Sequence, residues 1–158
     1  MTRNLDEIMA LNIGSGNNVT MEYINLDIRP ETKADVIADA RELPFPDERF
    51  DKVFSTDCLE HFSHRETYAV LAEWIRVLKK GGLLELHVPN LLAACLALEK
   101  DDFPTAINVL YGAQDYKENF HYMGFTPKAI TRILTGLHIT IASIETSGLH
   151  LKVRGIKQ

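Results

Sequence analysis

Asp57, Glu60 and His61 place three ionisable side chains within five positions, where the apolar, strand-like run Phe50–Asp57 ends. Imidazole titrates near neutral pH and a nearby carboxylate shifts it, so such a group can move a proton. Each residue could equally be solvated or serve as a cap. Gly14-Ser15-Gly16 closes a second apolar run, Met9–Ile13. Two glycines one residue apart allow a tight turn and leave space for a ligand against the backbone. The third glycine of a dinucleotide-binding turn is absent, and so is the Gly-Lys-Ser/Thr of a phosphate loop. Asp27 stands near the end of the run Tyr23–Ile28, and Asp39 ends Ala34–Asp39. A carboxylate at the tip of a second strand can accept both hydroxyls of a ribose, and one at the third tip can take an adenine amino group. Turn formation beside Arg29-Pro30, and an Asx turn at Asp39, are the alternatives.

These residues need a scaffold that brings strand ends together. Five short apolar segments read as parallel strands: the four above and Gly82–Val88, which stops at Pro89. A helix over 64–80 is predicted from the capping-box pair Ser63 and Glu66 and from the apolar spacing of Tyr68, Leu71, Trp74, Ile75 and Leu78. Lys79 and Lys80 would complement its C-terminal dipole, and Gly81-Gly82 would end it. Further helices are expected at 90–100, from Pro104 to about Gly112, and from the Thr126-Pro127 cap to about Gly136. His138–Thr146 and Leu149–Ile156, flanking Ser147-Gly148, read as an antiparallel hairpin. The expected architecture is an α/β sheet with an antiparallel edge, whose ligands bind beyond the carboxyl ends of the parallel strands.

Composition narrows the function classes. At 158 residues the chain has the size of one domain, read here as 1–158, and its 46% hydrophobic and 25% charged content is that of a globular protein. No apolar run approaches a membrane span. The leading Arg3, Asp6 and Glu7 do not form a signal-peptide pattern, so a cytoplasmic location is expected. A net charge of −5, with no basic cluster, argues against tight nucleic-acid binding. Cys58 and Cys95 have no zinc spacing and read as buried free thiols; no metal ligand set is expected.

The order of the strand-end signals is more specific than any one of them. With Leu11–Gly16, Asn25–Ile28, Ala38–Pro46, Phe50–Phe54, Leu59-Glu60-His61 and Arg76–Gly82, the sequence resembles the class I S-adenosylmethionine-dependent methyltransferases. The likeness is strong over residues 9–90 and weaker over Asn119–Thr126 and the final hairpin. It implies a Rossmann-like sheet of five parallel strands plus a C-terminal antiparallel hairpin. It also implies S-adenosylmethionine as cofactor and S-adenosylhomocysteine as product. Gly14, Ser15 and Gly16 would pass under the methionine part and ribose, Asp27 (with Ile28 in the same motif) would hold the ribose, and Asp39 and Ala40 would meet the adenine. Asp57 and Cys58 would flank the methionine part and the methyl group.

Two departures from the family stand out. The usual acid two residues before the first glycine is Asn12, an amide that can still hydrogen-bond to the cofactor but brings no charge. The crossovers after Gly16 and after Ile28 are too short to hold helices. The early crossover helices are therefore reduced or missing, and one face of the sheet is left bare. An exposed apolar face would call for cover by a second copy of the chain or a partner protein.

Methyl transfer to a hydroxyl or a neutral amine requires a base. His61, beside the expected methyl, and His121, in an aromatic segment, are the candidates, with His64, Asp57 and Glu60 behind them. Packed or structural roles for these histidines are the alternative. Asp115, Tyr116 and Tyr122 are pocket candidates; His87 reads as packed, and His138 and His150 as hairpin surface. The expected activity is methyl transfer to a small-molecule or sugar-like acceptor. The alternatives are a non-catalytic cofactor-binding module assisting a partner protein, and a nicotinamide-dependent oxidoreductase. The latter is disfavoured because its pyrophosphate site needs a helix N-terminus after the first strand.

Overall fold

A computed structural model describes residues 4–158, so Arg3 lies outside the described residues. The elements are β1 (Ala10–Ile13), β2 (Ile24–Asp27), β3 (Val36–Ile37), β4 (Phe50–Thr56), α1 (Thr67–Arg76), β5 (Leu78–Pro89), α2 (Leu91–Glu99), α3 (Phe103–Tyr111), α4 (Pro127–Gly136), β6 (Ile139–Ser147) and β7 (His150–Lys157). The sheet order is β3-β2-β1-β4-β5-β7-β6, with β1 to β5 parallel and β7 antiparallel to both neighbours. This is the expected α/β architecture. The order of the sheet reverses direction at β1, which brings the ends of β1, β2 and β4 to one crevice.

Helix α1 ends earlier than its sequence pattern suggests. It stops at Arg76, and the backbone turns into β5 at Leu78, which pairs with Phe50. Val77 and Leu78 are fully buried, so the core claims residues that helical spacing also suits. Lys79 and Lys80 therefore lie in β5, and Lys79 pairs with Asp51. Arg76 stands in the last turn of α1, and Lys157 from β7 brings a second cation to that end, its Nζ donating to the carbonyls of Ile75 at 2.9 Å and Leu78 at 2.6 Å. At the other end Glu66 accepts from the Ser63 N–H and hydroxyl, as the capping box requires. Arg41 joins these donors, and together they hold the Glu66 carboxyl down at about 2. Tyr68 is half exposed rather than in the core, and its hydroxyl donates to the Gly136 carbonyl.

The crossovers 14–23, 28–35 and 38–49 carry no helix, and among the described residues a short 3-10 turn at Leu5–Glu7 precedes β1. Helices α1 and α4 cover one face of the sheet. On that face the row Ile24, Leu11, Val53, Leu84 runs across four strands, each at most 3% exposed. Behind it stand Leu71, Trp74, Ile130 and Leu134, in one continuous core.

Among the described residues no helix covers the opposite face, as expected, but that face is not apolar. One residue along, the row reads Asn25, Asn12, Phe54, Glu85, Arg154. Glu85 is paired with Lys52 at 3.0 Å and Arg154 at 3.2 Å, and His87 lies 3.3 Å away. Near β1 and β2, loop 14–23 folds over the face in place of a helix. Asn25 donates to the carbonyls of Thr20 and Tyr23 and accepts from the Thr20 N–H; Asn12 donates to the Asn18 carbonyl and to Asn25. The expectation of an exposed apolar face is thus corrected, and with it the ground for requiring a covering partner. The second thiol also differs from expectation: Cys95 is exposed on α2, and only Cys58 sits at the core.

Candidate functional site

A cavity of about 250 Å³ opens at the carboxyl ends of the first four strands. Its lining includes Gly14 after β1, Asp27 and Ile28 at β2, Asp39 and Ala40 after β3, and Asp57 and Cys58 after β4. His61, Tyr116 and Tyr122 also face it. Seven of the ten residues expected at a cofactor site on sequence grounds therefore share one wall system. Asn12, Ser15 and Gly16 do not line it. Asn12 is spent on loop 14–23. Ser15 is buried, with its N–H on the Leu26 carbonyl, and Gly16 holds Asp27 from behind.

The local geometry explains the turn. Gly14 has φ +69°, and a Cβ there would lie 2.5 Å from Cys58 Sγ, so the backbone of the first turn packs directly on the end of β4. The Gly16 N–H donates to Asp27 Oδ2 at 2.7 Å, tying the β1 and β2 tips together. The other Asp27 oxygen accepts from the Arg29 N–H at 2.9 Å and Nε at 3.2 Å. Asp39 Oδ1 accepts from the Arg41 N–H at 2.8 Å. The turn-forming readings of both aspartates thus hold alongside any ligand role, since each carboxylate oxygen has more than one lone pair. The Arg29 guanidinium lies 4.5 Å above the Tyr116 ring, which partly closes the cavity over Asp27. Burial and the neighbouring Glu60 and Asp27 push the Cys58 thiol far up, which leaves it inert as a nucleophile.

Asp57 is the hinge of the site. It is a non-glycine residue at φ +48°, a strained conformation of the kind that clusters at functional sites. It lines the first cavity and also a second one, of about 290 Å³, bounded by Pro89, Asn108, Asn119, His121 and His150. His150 Nε2 lies 2.8 Å from Asp57 Oδ1. Nothing in the hairpin's alternation singles out His150. It reaches the site because β7 pairs with β5, opposite Pro89.

Between the cavities stand Glu60, His61 and His121. The Glu60 carbonyl accepts from the Tyr122 and Met123 N–H groups at 2.8 and 3.1 Å, which anchors the loop after α3 and sets His121 beside His61. The two rings meet edge to face at 5.3 Å. Burial raises the Glu60 carboxyl well above its ordinary range, and Asp57 adds to this. Burial lowers His121, partly countered by its hydrogen bond to the Val109 carbonyl. His64 is exposed and lines neither cavity, and Asp115 is held by Asn119 outside both. His87 packs edge on to Phe54 on the open face.

The sheet order, with the cavity at the strand ends, defines a Rossmann-like α/β fold. A family model, "Methyltransferase domain", matches residues 11–86. A curated relative, 27-O-demethylrifamycin SV methyltransferase of Amycolatopsis mediterranei (strain S699), is 30% identical over 97 residues, 58% of this chain and 35% of that protein. The chain thus spans about a third of the length of the curated relative it matches. Among solved structures, a Thermotoga maritima protein described as a SAM-dependent methyltransferase, possible histamine N-methyltransferase, superposes with TM-score 0.70 at 16% identity, over 94% of this chain and 82% of that one. The Burkholderia thailandensis 1,6-didemethyltoxoflavin-N1-methyltransferase, solved with 1,6-didemethyltoxoflavin and S-adenosylhomocysteine, gives 0.65 at 17% identity, over 94% and 70%. The chain thus has the fold of these solved methyltransferases, and its residues 11–86 are similar to the methyltransferase-domain family. Among the described residues no helix is long and apolar enough to cross a membrane.

Proposed function

We propose that the chain binds S-adenosylmethionine in the first cavity and methylates a small, hydroxyl- or amine-bearing acceptor held in the second. The observation that carries this reading is Asp57, a strained residue shared by two adjoining cavities at the ends of β4 and β5. The donor set suits the cofactor. Carboxylates Asp27 and Asp39 take the ribose and adenine, Leu26, Ala38, Ala40 and Phe62 give the base apolar walls, and the tight Gly14 turn leaves backbone at the methionine part. The bound cofactor supplies an electrophilic methyl group on a sulfonium. The protein's share is alignment, exclusion of water and removal of the acceptor's proton.

For that last task His61 and His121 are less suited than the sequence suggests. His61 has both ring nitrogens against carbonyl oxygens, and His121 binds the Val109 carbonyl through Nδ1. The His150–Asp57 pair stands at the second cavity, and a histidine paired with a carboxylate can accept a proton there. The polar lining from Asn108 and Asn119 favours a hydroxylated, sugar-like acceptor over a purely apolar one.

The test is calorimetric titration of S-adenosylmethionine and S-adenosylhomocysteine into the wild type, Asp39→Ala and Gly14→Ala, followed by an acceptor screen with His150→Ala. Micromolar binding, weakened by either cavity substitution, and turnover reduced about 10²- to 10⁴-fold in His150→Ala are expected. Absence of cofactor binding by the folded wild type overturns the reading.

A further inference from the structure

From Glu60, His61 and His121 we infer that the wall between the two cavities is a binding site for one divalent cation of the zinc type. The argument is an account of lone pairs. Glu60 is 0% exposed, and no donor of another residue reaches either of its carboxylate oxygens. His121 Nδ1 lies 3.1 Å from the Val109 carbonyl, which fixes the proton on Nδ1 and leaves Nε2 as an acceptor. That acceptor points to another acceptor, Glu60 Oε1, at 3.9 Å. His61 faces the Phe120 carbonyl through Nδ1 at 3.0 Å and the Asp57 carbonyl through Nε2 at 3.2 Å. A neutral imidazole has one N–H, so one His61 nitrogen also directs a lone pair at an oxygen.

Three side chains thus converge with more lone pairs than protons, and at the fully buried Glu60 an unpaired acceptor costs about 1–3 kcal/mol and a lone carboxylate more. A cation satisfies all three at once. One donor atom from each residue lies within 4.8 Å of the others. Bonds of about 2.0–2.2 Å bring such atoms to about 3.3–3.6 Å apart, so binding draws them in by roughly one ångström.

Two imidazoles and one carboxylate select a borderline ion such as Zn²⁺ or Co²⁺ over Mg²⁺ or Ca²⁺, which prefer oxygen cages. The carbonyl on the far nitrogen of His121 is the usual outer partner of a metal-bound histidine. A three-residue set also leaves a fourth position for water or another ligand. Glu60 and His61 are neighbours, whereas His121 comes from the loop after α3, brought to them by the Glu60 backbone contacts to Tyr122 and Met123 and by the contact of His61 with the Phe120 carbonyl.

This proposal stands apart from the methyl-transfer reading and is tested without turnover. Chelator-treated chain is titrated with Co²⁺, followed by its visible absorption, and then with Zn²⁺ by calorimetry and thermal unfolding. We expect one equivalent of Co²⁺ with the intense bands of a low-coordinate site, displacement by Zn²⁺, and a rise in unfolding temperature. Glu60→Gln and His121→Ala should each weaken binding by at least about 10- to 100-fold, while His87→Ala on the open face should not. The near-isosteric Glu60→Gln serves as the readout if His121→Ala does not fold. No uptake by wild type that is folded and still binds S-adenosylmethionine overturns the site and leaves the methyl-transfer reading intact. So does uptake that survives both ligand substitutions. In that case protons on Glu60 and His61 fill the role assigned to the ion.

Discussion

The two faces of the sheet solve the same problem with different chemistry. Under α1 and α4, the row Ile24, Leu11, Val53, Leu84 is covered by apolar side chains, and Trp74 fills the space with its indole N–H on the Ala40 carbonyl at 2.9 Å. On the other face helices are missing, and the row Asn25, Asn12, Phe54, Glu85, Arg154 is covered by its own hydrogen bonds, ion pairs and one folded loop. A parallel sheet normally needs helices on both faces because both are apolar. Here the second face has changed composition, so short crossovers suffice. The difference also assigns labour: the helix-covered face carries the stability, and the open face keeps the β1 and β2 tips in place for the cavity.

The largest contrast is expected from Trp74→Ala. The side chain is fully buried and touches the loop that bears Asp39 and Ala40, so its loss should cost about 3–5 kcal/mol in urea unfolding. A loss of under about 1 kcal/mol would break the comparison, because the helix-covered face would then not dominate stability.

How far each face was legible in the sequence follows the same division. The helix-covered face announces itself: alternating apolar strands and the spacing of Leu71, Trp74 and Ile75 predict the core directly. The hairpin, the cap at Thr126 and the missing crossover helices are also local features. What escaped depends on pairing across the sheet. Residues 78–80 have helical spacing, yet the vacancy beside Phe50 draws Leu78 into β5. Glu85 reads as an ordinary strand carboxylate until Lys52 and Arg154 are known to flank it. His150 joins Asp57 from the hairpin, where no local motif marks it, and the aromatic segment that marks His121 does not show that it meets Glu60.

Asn12→Asp sharpens the comparison next. By family resemblance this substitution restores the usual acid and should strengthen cofactor binding. The structure predicts the reverse. Asn12 is 4% exposed, and its amide donates to the Asn18 carbonyl and to Asn25 Oδ1; a carboxylate there confronts two acceptors with a buried charge. The expected outcome is a stability loss of at least about 1–3 kcal/mol, with no gain in S-adenosylmethionine affinity, because the side chain does not line the cavity. Tighter cofactor binding at unchanged stability would show that the amide belongs to the cofactor site and not to the loop's cover.

The smallest effect belongs to Glu85, and its sign separates ion pairing from packing. Burial alone would raise this carboxyl, but the hydrogen bonds from Lys52 and Arg154 outweigh it and hold it at about 2, below its ordinary 4.5. A folded-state value below the unfolded one stabilises the fold above about pH 4.5, and that contribution fades as pH falls toward about 2. Because Lys52 and Arg154 are 30% and 46% exposed, solvent screens the pairs. Glu85→Gln should therefore cost only about 1 kcal/mol at neutral pH. Urea midpoints of wild type and variant should stay a constant distance apart from pH 8 to about pH 5 and converge below that. A gap that persists undiminished at about pH 2.5 would mean that Glu85 acts through its shape in the sheet, and the open face would then be a packed surface like the other.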